Sequence, residues 1–279
     1  RTKKLQLRYM ALNDFLKSRI PTARKIVKKL DKEFDYISIL GSYTKFKRIS
    51  TNGHVSDMSD IDGECGFVIK LCKDGNYSEF ACNDIKNLDL DELRNSIRLD
   101  ELKQERVKLD SMDDEKMEKS FSREDKSTLS DEEILEKLNK IRNKVVKYDA
   151  RIIQVNAVMQ KRSVSKIFVS RNKTLDQCFD WTNTMLMAVS RDGDNIKQVY
   201  TSENEVDTRK ALNQLNKKAL GLAELSIKML SAKPIVPGTY EIITDPTISG
   251  LIAHEAFGHG VEMDMFVKER AKAVQYVGK

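Results

Sequence analysis

The chain has 279 residues, 40% of them hydrophobic and 33% charged, which is the composition of an ordinary soluble protein with room for two domains. No apolar run approaches the roughly 20 residues of a membrane span, so we expect no membrane partner. The four cysteines lack C-x-x-C spacing, which indicates free thiols in a reducing cytoplasm rather than a disulfide framework.

The net charge of +6 is concentrated at the beginning of the sequence. Residues 1–32 contain eleven Lys and Arg residues against two Asp residues, a local excess of +9. Such a segment could meet nucleic acid, an acidic membrane surface or an acidic partner. A solvated helix face is the simpler interpretation, because neither an aromatic stacking pattern nor a nucleic-acid motif accompanies the charge. We therefore do not expect a nucleic-acid partner.

Residues 1–87 predict an α+β unit. Apolar residues recur at helical spacing up to Leu30, and Pro21 indicates the start of a second helix within this stretch. Gly41 closes a short β-rich run. Lys73-Asp-Gly-Asn76 separates two further runs and predicts a hairpin, since Asp-Gly supplies the positive φ that a tight turn requires. The predicted strands are 36–40, 46–50, 65–72 and 77–82, with a polar loop at 52–63.

Residues 88–148 predict two helices joined by an acidic connection. Apolar residues line one side of 88–110. The stretch 110–136 holds eleven acidic residues against four basic ones, which is typical of an exposed linker or insert. At its end, Ser130-Asp-Glu-Glu133 forms a capping box and predicts a helix running to about Tyr148.

Residues 149–237 predict an antiparallel meander followed by a helix at 207–230. β-type runs between 152 and 201 are separated by the turn sequences Arg171-Asn-Lys and Arg191-Asp-Gly-Asp. Phe179 and Trp181 fall inside the meander, where an aromatic residue is more often core packing than a binding platform. Residues 238–279 then predict a strand at 238–243, a turn at Asp245-Pro246 and a helix from Thr247. The fold class is therefore α+β, with mixed or antiparallel sheets and flanking helices.

The last predicted helix carries two of the three histidines of the chain, His254 and His259, in an H-E-x-x-x-H pattern around Glu255. Residues five apart lie about 140° apart around a regular α-helix and cannot converge on one metal, whereas residues four apart lie only about 40° apart. Either the helix is distorted or there is no site. Gly258 and Gly260 are where we expect the distortion, because glycine tolerates unusual backbone geometry and π-bulges often occur at functional sites.

The residue types of this pattern suit a catalytic Zn²⁺ site. His254 and His259 would supply two imidazole ligands, and Glu255 is placed to take a proton from a metal-bound water. Burying these three groups without partners in an otherwise apolar segment would cost several kcal/mol, which favours a metal. Glu262 and Asp264 follow, and could equally hold an imidazole N–H or be surface carboxylates. His54 lies in a polar loop and reads as a surface histidine.

The segment Gly250-Leu-Ile-Ala-His-Glu-Ala-Phe-Gly-His-Gly-Val-Glu-Met-Asp264 resembles the signature of TldD/PmbA-type zinc metallopeptidases, specifically of the active, TldD-like kind. Pro237-Gly-Thr-Tyr-Glu and Lys268-Glu-Arg-Ala-Lys beside it are similar to that family too. So are the early Tyr36-Ile-Ser-Ile-Leu-Gly41 run and the Tyr77-Ser-Glu-Phe80 hairpin. The resemblance covers the family's N-terminal half.

The resemblance implies an N-terminal α/β domain, a cytoplasmic location and hydrolysis of unfolded or leader peptides bound in extended form. It also implies a homodimer, or a heterodimer with a related subunit that lacks the motif. By the same resemblance, His254 and His259 are zinc ligands and Glu255 is the catalytic base. The family takes its third ligand, a cysteine, from a β-rich C-terminal domain, so we expect that cysteine beyond Lys279 and weak zinc affinity in this chain; Cys178 does not match its position.

Two other functions remain open from the sequence. A non-catalytic subunit of a TldD/PmbA-type dimer could capture extended peptides or a partner chain along its sheet edges. The presence of both histidines and of Glu255 argues against it. A nucleic-acid-binding module using the basic residues 1–32 would show a steep salt dependence, and we rank it last.

Overall fold

The computed structural model describes residues 12–61, 63–74, 76–96, 115–262, 264–265, 270–276 and 278. These residues form two compact units. The sheet unit comprises the described residues up to Ala232, and the motif unit comprises those from Lys233 onward. Each unit is described by itself.

The sheet unit contains eight strands and four helices. Its strands are β1 (Tyr36–Thr51), β2 (Ser56–Ile61), β3 (Cys65–Lys73), β4 (Asn76–Cys82), β5 (Met117–Arg123), β6 (Ile152–Ser170), β7 (Lys173–Asp192) and β8 (Asn195–Glu205). Its helices are α1 (Asp14–Leu30), α2 (Leu90–Ser96), α3 (Asp131–Val146) and α4 (Thr208–Leu230). The motif unit contains α5 (Pro246–Ala253), a π turn (His254–Gly258) and 3₁₀ turns at His259–Val261 and Lys272–Tyr276.

All eight strands belong to one mixed sheet with the order β4-β3-β1-β6-β7-β5, in which β2 also pairs with β1 and β8 with β7. Only β5 is parallel to its neighbour. The other pairs are antiparallel, as in a meander. The predicted α+β fold class is confirmed.

Helices cover one face of this sheet, which we call the helix face. In β1 and β6 the odd-numbered residues point to it, because side chains alternate along a strand. Two hydrophobic clusters lie there: one joins α1 to the end of the sheet near β3, and the other joins α3 and α4 to β6 and β7. The opposite face, which we call the open face, carries the even-numbered residues of β1 and β6 and the odd-numbered residues of β5 and β7.

The strands are longer than their sequence patterns indicated. The runs 36–40 and 46–50 are parts of the single strand β1, and Gly41 does not end it. A Cβ atom at Gly41 would lie 2.6 Å from Cε1 of Phe67 and 2.9 Å from Cγ1 of Ile167. Gly41 therefore allows close packing in mid-strand, a role that the sequence pattern cannot distinguish from a break.

Five further expectations need correction. Pro21 lies inside α1, so the described part of residues 1–32 forms one helix and not two. The predicted polar loop and the acidic stretch each contain a strand, β2 and β5, which gain their hydrogen bonds from long neighbouring strands. Residues 238–243 form no strand. Trp181 is 48% exposed on the open face and is not core packing.

Several local predictions are confirmed. The β3–β4 hairpin turns at Asp74, whose φ is +53°, and α3 begins with the predicted capping box between Ser130 and Glu133. The expected helix at 88–110 is α2 as far as Ser96, and its remainder falls outside the described residues. The boundaries 1–87, 88–148, 149–237 and 238–279 stay a prediction. Among the described residues, no helix is both long and apolar enough to cross a membrane.

A buried polar network centred on Asp125 joins the helix face of the sheet to the start of α4. The Asp125 carboxylate, 3% exposed, accepts hydrogen bonds from Lys161 Nζ at 2.9 Å and from Thr208 Oγ1 at 2.5 Å. Its backbone N–H donates to Asp180. Burial raises the pKa of Asp125, but the hydrogen bonds from Thr208, Ser127 and Lys161 outweigh it, so the pKa lies below its ordinary value.

Candidate metal centre

The helix that carries the motif begins with a well-formed N-terminal cap. The Asp245 side chain accepts a hydrogen bond from the backbone N–H of Ile248 at 2.9 Å, and Pro246 occupies the first helical turn. Proline is favoured there, because its missing N–H would have no helical partner in any case. This is the predicted start of the helix to within one residue.

The helix changes character where the motif begins. The backbone N–H of His259 donates to the carbonyl of His254, five residues earlier, which is the hydrogen bond of a π turn. A π turn closes after five residues, so His254 and His259 lie one turn apart on the same side. The helix distortion expected from the i, i+5 spacing is therefore present.

The distortion includes Gly258 and Gly260, as expected, but neither position requires a glycine. Gly258 has φ of −57° and ψ of −52°, which any residue in a helix adopts. A Cβ atom there would lie 3.8 Å from Nδ1 of His254, an ordinary contact, and one at Gly260 would meet nothing within 4 Å. Gly258 instead leaves the space beside the His254 ring free of side-chain atoms.

Three side chains converge at the π turn. The rings of His254 and His259 have centroids 4.5 Å apart and planes inclined by 69°. Nε2 of His254 lies 4.0 Å from one carboxylate oxygen of Glu255, and Nε2 of His259 lies 3.7 Å from the other. One ligand atom from each residue lies within 4.8 Å of the other two, and this is the one such cluster among the described residues.

Glu262 orients one of these imidazoles. Its Oε1 atom lies 2.9 Å from Nδ1 of His259. A carboxylate accepts a hydrogen bond and cannot donate one, so this contact holds the proton on Nδ1 and leaves the lone pair of Nε2 directed away from Glu262. From the sequence, Glu262 and Asp264 could equally hold an imidazole N–H or be surface carboxylates. Asp264 is exposed.

The cluster is exposed, which corrects one argument from the sequence. The side chains of His254, Glu255 and His259 are 59%, 61% and 47% exposed. Burial without partners therefore imposes no free-energy cost here, and the case for a metal depends on the convergence of ligand atoms. The sequence named every residue of the cluster, but not which ring nitrogens face Glu255, because that depends on the π turn and on Glu262.

The remaining candidates lie in the sheet unit. His54 is exposed in the loop after β1, as expected of a surface histidine. All four cysteines are free thiols. Cys178 is buried in β7 with its sulfur 3.6 Å from the hydroxyl of Ser165, and burial raises the pKa of its thiol. That environment disfavours the thiolate form that binds metals.

Known proteins similar in sequence are named metalloproteases. No protein-family model matches the chain. A metalloprotease from Synechocystis sp. is 29% identical over 96 residues, which are 34% of this chain and 21% of that protein. A metalloprotease from Methanothermobacter thermautotrophicus is 31% identical over 88 residues, which are 30% of this chain and 19% of that protein.

Solved structures share the fold. A candidate modulator of DNA gyrase from Bacteroides thetaiotaomicron superimposes with a TM-score of 0.64 at 16% identity, over 87% of this chain and 57% of that one. TldE from Thermococcus kodakarensis gives a TM-score of 0.57 at 15% identity, over 89% and 57%. A second candidate gyrase modulator, from Thermotoga maritima, gives 0.54 at 19% identity, over 80% and 50%.

These matches cover only part of each known protein. The matched segment spans about a fifth of the length of the two metalloproteases, and the fold spans between half and three fifths of the solved chains. The resemblance to TldD/PmbA-type proteins is confirmed at the level of the fold.

Proposed function

We propose that this chain, which shares the fold of TldE, carries the metal-binding helix of a zinc-dependent peptidase acting on unfolded or leader peptides bound in extended form. The observation that carries the proposal is the π turn, because it brings two imidazoles and a carboxylate within 4.8 Å of one another from a spacing that a regular helix cannot use. The names of the metalloproteases matched in sequence support the same conclusion. A cytoplasmic location and a homodimeric or heterodimeric assembly belong to the proposal through the resemblance alone.

The donor set fits zinc. Imidazole nitrogen is a preferred zinc ligand, and catalytic zinc sites have three protein ligands and one open position. His254 and His259 would hold the ion through Nε2, and the family resemblance predicts a cysteine as the third ligand. A zinc ion bound there would polarise a peptide carbonyl and lower the pKa of its bound water.

Glu255 is suited to move the proton. Its carboxylate oxygens lie 3.7 and 4.0 Å from the two Nε2 atoms, beyond hydrogen-bonding distance, so neither imidazole occupies them. The carboxylate can accept a proton from water and pass it to the departing amine. Glu262 keeps the proton of His259 on Nδ1, which leaves Nε2 free to bind.

The test separates metal binding from proton transfer in the intact protein. Glu255→Gln should retain the metal, measured by inductively coupled plasma mass spectrometry, and should lose about 10²- to 10⁴-fold of the hydrolysis of an unstructured peptide. His254→Ala should lose the metal as well. Glu241→Gln, an exposed site outside the cluster, is the control and should leave both unchanged.

Two results would reject the proposal. Full activity of Glu255→Gln would remove that carboxylate from the mechanism. Wild-type protein without bound metal or peptidase activity, but with affinity for extended peptides, would favour the non-catalytic binding subunit.

A further inference from the structure

The open face of the sheet unit combines positive charge with aromatic rings, and nothing in the proposed peptidase chemistry uses it. Strand register places Arg162 of β6 between Phe46 of β1 and Trp181 of β7. One row further, Phe179 of β7 lies beside Arg123 of β5. Cations and rings therefore interleave across four adjacent strands.

A second pair of rows continues the pattern. Lys166 of β6 pairs with Gln177 of β7, which in turn pairs with Phe121 of β5. In the next row Leu175 of β7 has Lys119 of β5 as its neighbour. Trp181 and Phe121 are 48% and 55% exposed, so their rings are available for contact.

Four cations of the open face have no protein partner among the described residues. Within the described part of the chain, no ion pair or side-chain hydrogen bond is formed by Lys119, Arg123, Arg162 or Lys166. On the helix face, by contrast, Lys47 and Lys161 are both paired with aspartates.

The acidic residues of the open face do not compensate for these four cations. Asp57 pairs with Arg48, and Glu79 pairs with Lys70, on the same face. Glu64 lines the same depression as Arg162 and is one carboxylate against four cations. The open face therefore has a surplus of positive charge.

The surface is concave enough to hold a chain. A depression of about 810 Å³ includes Phe46, Arg162 and Trp181, and a second one of about 300 Å³ includes Lys119 and Phe121. Lys166 lines both, so the two depressions adjoin along the sheet.

The chemistry of this surface selects among possible occupants. A second copy of the same face would bring like charges together, which is repulsive. Extended peptides are bound by hydrogen bonds at sheet edges, and this surface is a sheet face. Rings on which bases stack, cations for phosphates and amides for base edges are the elements of single-strand recognition on a sheet.

We propose that the open face binds single-stranded nucleic acid. Bases stack on Trp181 and Phe179, phosphates contact Arg162 and Lys166, and amides such as Gln160 meet base edges. Nucleic-acid binding ranks last from the sequence alone, because no aromatic stacking pattern accompanies the basic residues 1–32. The interleaving here arises from side chains on four different strands, which only the register brings together. This proposal concerns the sheet unit and does not depend on peptidase activity.

The test is fluorescence anisotropy of labelled oligo(dT) and oligo(U), each of about 15 nucleotides, titrated with the full chain at roughly 50 to 200 mM salt. Trp181→Ala should weaken binding by about 5- to 100-fold through lost stacking. Arg162→Gln combined with Lys166→Gln should reduce the slope of log affinity against log salt by about 1.4. Comparison of oligo(dT) with oligo(U) shows whether DNA or RNA is preferred.

The control variants remove the same amount of charge, or one aromatic ring, at sites away from the open face. Lys28→Gln combined with Lys29→Gln removes the same charge from the exposed last turn of α1, and Tyr148→Ala removes an exposed ring after α3. Neither should change the affinity by more than about twofold. Circular dichroism would check that every variant is folded.

Three outcomes would overturn the proposal. The first is the absence of saturable oligonucleotide binding at low salt. The second is an equal loss of affinity in the Lys28/Lys29 control. The third is tighter binding of an acidic peptide such as poly-glutamate, which would identify the partner as a polypeptide.

Discussion

The sheet unit and the motif unit differ in what defines their conformation. The sheet unit buries two hydrophobic clusters, with residues such as Leu138 and Ile39 fully enclosed. In the motif unit none of the described residues is buried, and Ile243 is fully exposed. The motif unit is shaped by local hydrogen bonds: the Asp245 cap, the π-turn bond from His259 to His254 and the His259–Glu262 contact.

Substitutions in the two units should therefore change different measured properties. Burial of apolar surface supplies most of the stability of a domain, so changes in the sheet unit should appear in the free energy of unfolding. Exposed residues of the motif unit contribute little to that quantity. Their replacement should instead appear in metal binding.

The largest contrast is expected between a buried and an exposed aliphatic residue. Leu215→Ala removes a fully buried side chain of α4 and should lower the free energy of unfolding by about 2–5 kcal/mol through lost burial and a cavity. Ile243→Ala should change it by less than about 0.5 kcal/mol. Urea denaturation followed by circular dichroism measures both. Similar losses for the two variants would mean that the motif unit has a core of its own.

A charged change inside the sheet unit should come next. Asp125→Asn removes the carboxylate that Lys161 and Thr208 contact and should cost about 2–3 kcal/mol. The folded-state pKa of Asp125 is lowered, so its stabilisation is present above the unfolded carboxyl pKa of about 3.9 and is lost as the pH falls through the folded value. The difference in free energy of unfolding between wild type and Asp125→Asn should therefore become smaller below about pH 4. A difference in free energy of unfolding that does not change with pH would contradict the role of the Asp125 carboxylate in stability.

Two glycines give a smaller, matched comparison within the sheet unit. Gly41→Ala forces a methyl group against Phe67 and Ile167 and should destabilise the protein by about 1–3 kcal/mol. Gly221→Ala in α4 meets no atom within 4 Å and should stabilise it by about 0.5–1 kcal/mol. Thermal unfolding should show a lower melting temperature for Gly41→Ala and a higher one for Gly221→Ala than for the wild type. A stabilising shift in Gly41→Ala would show that Gly41 acts through backbone entropy and not through packing.

The smallest effect on stability is expected at the metal centre, together with a clear effect on binding. Glu262→Gln replaces the carboxylate that orients His259 and should leave the free energy of unfolding within about 0.5 kcal/mol of wild type. Zinc affinity should fall about 10- to 100-fold, measured by competition with a chromophoric chelator. Glu241→Gln is the control. An unchanged affinity in Glu262→Gln would show that the His259 contact is incidental.

The same contrast explains how much could be predicted from the sequence. Periodicity and capping located α3, α4 and the β6–β7–β8 meander, because burial on one face dictates alternation and helical spacing. The sequence patterns did not predict the full lengths of β1 and β6, nor the existence of β2 and β5. Pairing with strands that are distant in sequence overrides weak local patterns. Gly41 was misinterpreted, since its role depends on Phe67 across the sheet.

At the candidate centre, residue types were predictable and geometry was not. The H-E-x-x-x-H spacing identified His254, Glu255 and His259 and required a distorted helix. It could not tell a π turn from a glycine-driven kink, because both relieve the same mismatch. Nor could it decide whether Glu262 and Asp264 hold an imidazole N–H or are surface carboxylates, because their positions depend on how the helix ends.

We propose that the π turn makes a metal-binding pair of His254 and His259. Zinc titration tests this pair directly when the wild-type protein is compared with His254→Ala, His259→Ala and His54→Ala. The last variant removes the third histidine, which lies in an exposed loop. Either motif variant should weaken zinc binding at least about 10-fold, and His54→Ala should leave it unchanged. Equal zinc binding by all four proteins would contradict it.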